Sequence, residues 1–306
     1  MLPSGGKSFR LRVLYLRDGS ITRVQGGSGP RQNTAAGSLG EIMRKIVSFD
    51  FDKTLFDHGT RAVPESALRA LRALRESGHI VVLATGRDMD TYFSREYLSL
   101  VQPDARVDQN GAKVVADGKL LFEHCMDKRL LQRMMDYAQA HHVGLGTTID
   151  DEDFFVNPER VEEAELRRFG DCGRKFRDAE QLMLLPVRTV SFIGSTAEAE
   201  EMERHFPEVT LRMFSVDYGA DVIEKSCSKA AGLRRLCAYY GIDMRDSYAF
   251  GGGMNDFEII QAAEVGIAMG NAKAELKQVA DYVTDAIDED GIWNACRHFS
   301  LISAMS

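Results

Sequence analysis

Two apolar runs separated by an amphipathic helical pattern constrain the fold of this chain most strongly. The first run, KIVSFDF at residues 45–51, is nearly continuous, as expected of a strand buried on both faces of a parallel sheet. Residues 64–78 then repeat leucine at helical spacing, and HIVVLATGR at residues 79–87 is the second run. A strand, a helix and a strand of these lengths predict a right-handed crossover unit, and therefore an α/β fold.

The same order of elements returns near the C-terminus. A helix is predicted over residues 228–241, with Ser228 as its N-cap. Apolar strands follow at residues 247–253 and 265–270, each leading into another helical pattern. This part of the chain is therefore expected to continue the same parallel sheet.

In the middle of the chain, the predicted helices and strands follow a different order. We interpret residues 114–218 as a second α/β module inserted into the first. The remaining segments, 43–113 and 219–306, then form one Rossmann-like parallel-sheet core. Glycine and polar residues at Asn110-Gly111 and Tyr218-Gly219 mark the predicted hinges.

Composition excludes several classes of protein. The net charge of −8 over 306 residues argues against a nucleic-acid-binding surface. Five scattered cysteines, none in a C-x-x-C pair, predict reduced thiols in a cytoplasmic protein rather than disulfides or a zinc site. Because no apolar run reaches about 18 residues, we expect no membrane partner.

The first 42 residues differ in composition from the rest. They contain the Gly/Ser-rich stretch GGSGPRQNTAAGSLG and six Lys or Arg residues against two acidic residues. No apolar segment leads to a cleavage site of the kind that ends a signal peptide. We interpret residues 1–42 as a flexible tail or as a consequence of start-site choice, and we favour Met43, just before the first strand, as the start.

Two aspartates follow the first predicted strand, in DFDKTLFD at residues 50–57. Ligands bind at the carboxyl ends of strands in open parallel sheets, so Asp50 and Asp52 are placed where a site would form. Two carboxylates so close together are costly unless a cation or a shared proton compensates their charge. A solvated acidic turn is the alternative, but apolar residues surround both aspartates.

Further polar residues occur at the ends of other predicted strands. Thr85 and Gly86 follow the second strand and offer a hydroxyl and an uncrowded amide to an anionic oxygen. Lys229 opens a helix, where it opposes the helix dipole unless an anion lies nearby. Asn255 and Asp256 follow the glycine-rich strand AFGGG. Each signal alone is weak, since turns and exposed lysines are common.

Together and in this order, these motifs resemble those of the haloacid dehalogenase superfamily of phosphohydrolases. The ordered set is Asp50-Phe-Asp52-Lys-Thr54, Thr85-Gly86, Lys229 and Gly251-x-x-x-Asn255-Asp256. The position of the inserted module and the stretches DQNGAKV and VGIAMGNA resemble those of the Cof-type subfamily, subclass IIB. In that subfamily the insertion is an α/β cap. Four motifs in order are far more specific than any one of them.

The resemblance implies a role for each matching residue. Asp50 would attack phosphorus and form an aspartyl-phosphate, and Asp52 would act as general acid and then as general base. The phosphoryl oxygens and the substrate would be held by Thr85, Gly86, Lys229 and Asn255. Magnesium would be bound by Asp50, Asp52 through its main-chain carbonyl, and a carboxylate of the fourth motif, here Asp256.

The fourth motif departs from the pattern of the family. Relatives usually read Gly-Asp-x-x-Asn-Asp, with the first aspartate as a metal ligand, whereas this chain has Gly252 there. Two hypotheses follow. The chain is either a Mg²⁺-dependent phosphatase with weakened metal binding or a catalytically impaired protein that binds phosphorylated ligands. A phosphomutase is a third, less favoured reading.

The substrate is left open by the sequence. Sugar phosphates, pyridoxal phosphate and flavin mononucleotide are all within the range that the resemblance implies. Side chains of the cap would choose among them, and no motif fixes those side chains. The oligomeric state is equally open. The partner expected from sequence is therefore a small phosphorylated metabolite, without further detail.

Overall fold

The computed structural model describes residues 44–92, 94–214 and 218–303. The predictions for residues 1–42 and for a start at Met43 lie outside the described residues. Within the ranges that are described, no helix has both the length and the apolar character needed to cross a membrane.

The described residues form both strands and helices. The strands are β1 (Ile46–Phe49), β2 (Ile80–Ala84), β3 (Ala105–Asp108), β4 (Lys113–Ala116), β5 (Lys119–Glu123), β6 (Gly144–Ile149), β7 (Glu152–Val156), β8 (Phe176–Arg177), β9 (Val190–Ile193), β10 (Val209–Met213), β11 (Gly219–Glu224), β12 (Ser247–Gly251), β13 (Val265–Ala268) and β14 (Tyr282–Val283). The helices are α1 (Glu65–Glu76), α2 (Arg95–Val101), α3 (Lys128–His141), α4 (Pro158–Phe169), α5 (Thr196–His205), α6 (Lys229–Tyr240), α7 (Phe257–Ala262), α8 (Ala274–Val279) and α9 (Gly291–His298). Two short 3₁₀ turns, Gln109–Gly111 and Met254–Asp256, also matter for the site.

The larger sheet has eight strands in the order β14-β13-β12-β1-β2-β3-β4-β5. The strands from β14 to β3 are parallel, and β4 and β5 are added antiparallel at one edge. Phe49 in the central strand pairs with Phe250 on one side and Leu83 on the other, and all three are buried. The predicted parallel-sheet α/β core is confirmed.

Helix α1 shows why the helical pattern in the sequence packs on this sheet. Leu68, Leu71 and Leu74 recur on one face and are buried, as their spacing predicts. Burial of each leucine side chain contributes about 1.5–3 kcal/mol relative to exposure. Toward α9, the guanidinium of Arg69 lies 3.9 Å from the ring centroid of Trp293. These contacts fix α1 against the sheet and against α9.

The smaller sheet has six strands in the order β10-β11-β9-β6-β7-β8. Its pairs are antiparallel except for β7 and β8. Helices from the same segment cover it and bury a second apolar cluster that includes Leu131, Met134 and Phe192. This sheet is built mainly from the segment that the sequence predicted to be an inserted module.

The boundaries of the inserted module differ from the predicted 114–218. Strands β4 and β5 extend the larger sheet as far as Glu123, and β11, which begins at Gly219, belongs to the smaller sheet. Local periodicity predicts a strand but not the sheet that it joins, because sheet membership depends on long-range pairing. By sheet membership, the chain passes between the two sheets at residues 124–127 and again at 225–228.

Candidate active site

Neighbouring strands of the larger sheet end where the predicted site residues begin. Asp50 follows β1, Thr85 follows β2, and Gly252 follows β12. Because these three strands are adjacent and parallel, their carboxyl ends open on one edge of the sheet. Lys229, the first residue of α6, reaches the same edge.

A buried lysine joins two aspartates at this edge. Lys229 Nζ lies 2.6 Å from Asp50 Oδ1 and 2.6 Å from Asp256 Oδ1, and all three side chains are buried. Burial and the charge of Asp256 raise the pKa of Asp50 to about 7, although Lys229 opposes this shift. Burial disfavours the ammonium, but the carboxylates of Asp256 and Asp50 outweigh it and raise the pKa of Lys229. Lys229 therefore stays charged and compensates the paired carboxylates.

Asp256 also holds the glycine loop in place. Its Oδ2 atom accepts hydrogen bonds from the amides of Gly252 and Gly253 at 3.0 and 2.9 Å, while its Oδ1 atom accepts from Lys229. Both oxygens of this carboxylate are thus engaged within the protein. The prediction that Asp256 also binds a metal stays a prediction.

Asp52 has different surroundings from Asp50. Its side chain is 37% exposed and is held by Arg87, whose Nε and Nη2 atoms donate at 2.8 and 2.6 Å. His58 Nε2 lies 2.8 Å from Asp52 Oδ1. Burial opposes ionisation here, but the hydrogen bonds from His58 and Arg87 outweigh it and hold the pKa of Asp52 well below its usual range. The side chain of Asp52 is therefore ionised in this arrangement.

Asn110 connects the remaining predicted residues. Its main-chain amide donates a hydrogen bond to the Thr85 carbonyl at 2.9 Å, and its side-chain oxygen accepts one from Asn255 Nδ2 at 3.1 Å. Its own Nδ2 atom donates to Asp221 Oδ2 at 3.0 Å. Gly86 lies next to this group, since a methyl group built on it would fall 2.6 Å from Asp221 Oδ2.

The turn that carries Asn110 has an uncommon backbone. Gln109, Asn110 and Gly111 have φ angles of +49°, +52° and +97°. Left-handed backbone at consecutive non-glycine residues is costly and persists where surrounding contacts fix it. A Cβ at Gly111 would lie 2.1 Å from the Ser228 carbonyl oxygen, so only glycine allows the turn to approach the start of α6.

Four residues of this region were missed by sequence reasoning. Arg87 directly follows Thr85-Gly86 and could have been included with that motif. Asn110 was noted only as part of a family-like stretch and a hinge. His58 and Asp221 carry no local signal, since their positions depend on a loop and on the second sheet.

A cavity of about 190 Å³ adjoins the buried lysine. From the larger sheet and its loops it is lined by Asn110, Lys229 and Asn255, and from the smaller sheet by Thr210 and Arg212. The cavity therefore lies between the two sheets.

Comparison with known proteins identifies the family. The family model described as haloacid dehalogenase-like hydrolase matches residues 47–296, most of the chain. The chain belongs to the haloacid dehalogenase-like hydrolases. It is 28% identical over 266 residues to YkrA of Bacillus subtilis (strain 168), covering 84% of this chain and 98% of that protein.

Solved structures of haloacid dehalogenase phosphatases have the same fold. BT1666 from Bacteroides thetaiotaomicron superposes with a TM-score of 0.79 at 25% identity, over 88% of this chain and all of that chain. The subclass IIB sugar phosphatase BT4131 superposes with a TM-score of 0.76 at 26% identity, over 84% of this chain and all of that one. The predicted superfamily, its Cof-type subclass IIB and the phosphatase class of enzyme are confirmed.

This haloacid dehalogenase-like protein contains a second group of carboxylates. Single oxygens of Asp88, Asp90 and Asp108 lie within 4.8 Å of one another, which could suit a cation. However, Lys113 Nζ forms an ion pair with Asp90 and lies 3.5 Å from Asp88, and Arg106 Nη1 lies 2.9 Å from Asp90. Arg188 Nη1 also lies 3.4 Å from Asp88. Because these cationic side chains already compensate the group, we assign no metal to it.

Asp108 in this group is expected to make stability depend on pH. Its side chain has no solvent exposure, and within the described part of the chain neither carboxylate oxygen has a hydrogen-bond partner. Burial raises its pKa to about 7 against the attraction of Arg106 and Lys113. In an unfolded chain the pKa is about 4, so the folded state binds the proton more tightly. Ionisation of Asp108 therefore opposes folding as pH rises from about 4 to about 7, and adds nothing further above that.

We expect Asp108→Asn to gain stability relative to the parent over that interval, by up to about 1.4 kcal/mol per pH unit. Urea unfolding at pH 5, 6, 7 and 8 measures the difference. Asp136→Asn, on the exposed face of α3, is the matched control and should follow the parent curve. A constant difference between Asp108→Asn and the parent across this range would contradict the assignment.

The buried lysine is expected to be important for stability. Lys229→Met leaves Asp50 and Asp256 as buried carboxylates without their cation, which should lower the free energy of unfolding by about 3–5 kcal/mol at pH 8. The loss should shrink at lower pH, where Asp50, whose pKa is raised to about 7 by burial, can take up a proton. Urea unfolding measures both effects, with exposed Lys119→Met as the control. A loss below about 1 kcal/mol would show that Lys229 does not stabilise the pair.

Proposed function

We propose that this protein hydrolyses phosphate monoesters of small metabolites through an aspartyl-phosphate on Asp50. The observation that carries the proposal is the contact of Lys229 Nζ with Asp50 Oδ1, 2.6 Å apart and buried at the ends of the central strands. An ionised Asp50 supplies the nucleophile, and Lys229 supplies a fixed positive charge for phosphoryl oxygens. With Lys229, the hydroxyl of Thr85, the amide of Gly86 and the side chain of Asn255 are proposed to hold the substrate.

The proposed reaction has two steps. In the first, an oxygen of Asp50 forms a bond to phosphorus as the bond to the leaving oxygen breaks, and the carboxyl of Asp52 gives that oxygen a proton. In the second, Asp52 takes a proton from water, the water oxygen bonds to phosphorus, and the bond to Asp50 breaks. The products are an alcohol and inorganic phosphate, with both aspartates returned to their initial states.

The surroundings of Asp52 support its role in the second step. Arg87 and His58 hold it as a carboxylate, which is the form that accepts a proton from water. For the first step Asp52 must carry a proton, so its contacts with Arg87 must weaken. A substrate phosphate competes for the Arg87 guanidinium and provides a physical cause for that change.

A magnesium ion fits the oxygen donors that remain near Asp50. Among the described residues, Asp50 Oδ2 has only a long 3.4 Å contact from Thr54 Oγ1, which leaves a buried carboxylate oxygen for a cation. The main-chain carbonyl of Asp52 would be a second ligand, and Mg²⁺ commonly keeps several waters beside one or two carboxylates. When bound, the ion would offset the negative charge of Asp50 and the phosphate. Since Gly252 has no side chain, we propose that binding is weak.

The substrate class proposed first is that of sugar or polyol phosphates. BT4131, whose fold this chain shares, is described as a sugar phosphatase. The cavity of about 190 Å³ is small beside the roughly 300–1,000 Å³ of pockets for drug-sized ligands. Pyridoxal phosphate and flavin mononucleotide remain in the proposed range but would need more space.

Hydrolysis of p-nitrophenyl phosphate by the parent protein, with and without Mg²⁺, tests the proposal. Release of nitrophenol and inorganic phosphate in equal amounts, faster with Mg²⁺ than after chelation, is expected. If the parent protein releases no phosphate at millimolar Mg²⁺, the phosphatase proposal is wrong.

A protein that binds phosphorylated ligands without turnover is the second candidate. Gly252 at a metal-ligand position and the full engagement of Asp256 favour it. In that case the parent is inert and Gly252→Asp is active. Phosphomutase activity, the least favoured candidate, would show as phosphoryl transfer to an added sugar instead of water.

A further inference from the structure

Asp221 is a carboxylate of the smaller sheet that reaches the proposed phosphate site on the larger one. Asp221 lies on β11, and it pairs with Arg212 of the antiparallel neighbour β10. Asp221 Oδ2 accepts a hydrogen bond from Asn110 Nδ2 at 3.0 Å. It also packs against Gly86, where an added methyl group would fall 2.6 Å from the same oxygen. The carboxylate is therefore adjacent to an amide that is proposed to hold a phosphoryl oxygen.

This carboxylate has hydrogen-bonding capacity that the protein does not use. Two carboxylate oxygens can accept about four hydrogen bonds. Among the residues that the structure describes, Asn110 provides the side-chain hydrogen bond to Asp221, and Lys229 and Asp52 act on it only through charge. The Asp221 side chain is half-buried and has one neutral donor from the protein, so it can accept a further hydrogen bond from a ligand.

A carboxylate beside a phosphate also affects which ligands can bind. Like charges brought together in a binding site cost several kcal/mol, so a phosphate ester with nothing between its oxygens and Asp221 is disfavoured. A hydroxyl group near the ester removes this penalty because it donates a hydrogen bond to the carboxylate. The carbon next to the phosphoester carbon is the nearest position that can carry such a hydroxyl.

Building on the proposed phosphatase function, we propose that Asp221 selects substrates with a hydroxyl group on the carbon next to the phosphoester carbon. Open-chain polyol phosphates satisfy this condition, whereas simple alkyl phosphates and pyridoxal phosphate do not. The cavity of about 190 Å³ is lined by Arg212, Thr210 and Asn110, the last of which hydrogen-bonds Asp221, and it has room for a chain of a few carbons. Sites built to bind a substrate hydroxyl reject analogues that lack it by large factors, because the buried polar group is then left unpaired.

Glycerol 3-phosphate and propyl phosphate form a matched pair that tests this assignment, since they differ in the hydroxyl groups of a three-carbon chain. We would measure kcat/KM for both from phosphate release, in the parent and in Asp221→Asn. The parent is expected to prefer glycerol 3-phosphate by about 100-fold or more, and Asp221→Asn to reduce that ratio at least about tenfold. Asp136→Asn, the same substitution on the outer face of α3, is expected to keep the parent ratio.

Failure of this inference is separable from failure of the phosphatase proposal. If the parent hydrolyses p-nitrophenyl phosphate but Asp221→Asn keeps the parent ratio, Asp221 does not select the substrate and the phosphatase proposal stands. If the parent hydrolyses none of the three esters, calorimetric titration with glycerol 3-phosphate and propyl phosphate decides the matter from binding alone. A binding preference lost in Asp221→Asn supports the inference, and an unchanged preference overturns it. Thermal unfolding checks that the variant is folded, with Asp221→Ser as the substitute if it is not.

Discussion

Asp50→Asn is expected to lower kcat for p-nitrophenyl phosphate by at least about 10⁴-fold, because an amide cannot form the aspartyl-phosphate. The substitution keeps the shape of the side chain, and Lys229 retains Asp256 as a partner at 2.6 Å. The fold should therefore survive while turnover is lost. Phosphate release under saturating substrate measures kcat, and mass spectrometry of the acid-quenched parent should find a phosphoryl group on the peptide that contains Asp50.

Asp57→Asn is the matched control for this experiment. Asp57 lies in the same loop, where its carboxylate accepts hydrogen bonds from the amides of Gly59 and Thr60 at 2.8 and 3.2 Å. It has no proposed role in the reaction, so its replacement should change kcat by only a few-fold. Residual activity of Asp50→Asn within about 100-fold of the parent would rule out Asp50 as the nucleophile.

The second large effect is expected at Gly252, where Gly252→Asp should lower the Mg²⁺ concentration for half-maximal activity by about 10- to 100-fold. A Cβ at this position would lie 3.2 Å from the Lys53 carbonyl oxygen and 3.3 Å from Thr54 Oγ1, so an aspartate fits after small shifts. Its carboxylate would add a charged oxygen ligand near Asp50. The Mg²⁺ dependence of p-nitrophenyl phosphate hydrolysis measures the change.

Gly252→Asn separates the effect of charge from the effect of added volume. Asparagine occupies the same space as aspartate but is a weaker ligand for Mg²⁺, so it should leave the Mg²⁺ requirement near that of the parent. Without Mg²⁺, Gly252→Asp should also melt at a lower temperature than Gly252→Asn, because its carboxylate lies near those of Asp50 and Asp256. Added Mg²⁺ should raise that melting temperature by binding the folded state. An identical Mg²⁺ requirement in Gly252→Asp and Gly252→Asn would contradict a metal site at this position.

The two aspartates of the first motif illustrate how environment assigns different roles to similar side chains. Asp50 is buried beside Lys229 and Asp256, and its pKa is raised to about 7. Asp52, two residues later, turns toward Arg87 and His58, and its pKa is held low. Phe51 between them is fully buried and anchors the loop, which directs the two carboxylates into different surroundings. A nucleophile and a proton-transfer group can thus arise from one short stretch of chain.

The sequence by itself determined the sheet-forming strands, the amphipathic helices and the residues placed at strand ends. Buried strands are read from continuous apolar runs and helices from a repeat near 3.6 residues, and both signals are local. Asp50 and Asp256 could be expected to meet because the carboxyl ends of parallel strands share one edge.

Only the tertiary structure decided which residues complete the site. The bond of Asn110 to Asp221 spans 111 positions in the chain, and that of Arg87 to Asp52 spans 35. Strand β11, which carries Asp221, belongs to the smaller sheet, although the sequence predicted it to be part of the core. The reason is physical: hydrophobic periodicity records how a segment is buried along its own axis, whereas partners across a sheet or between two sheets are chosen by the packing of the whole chain.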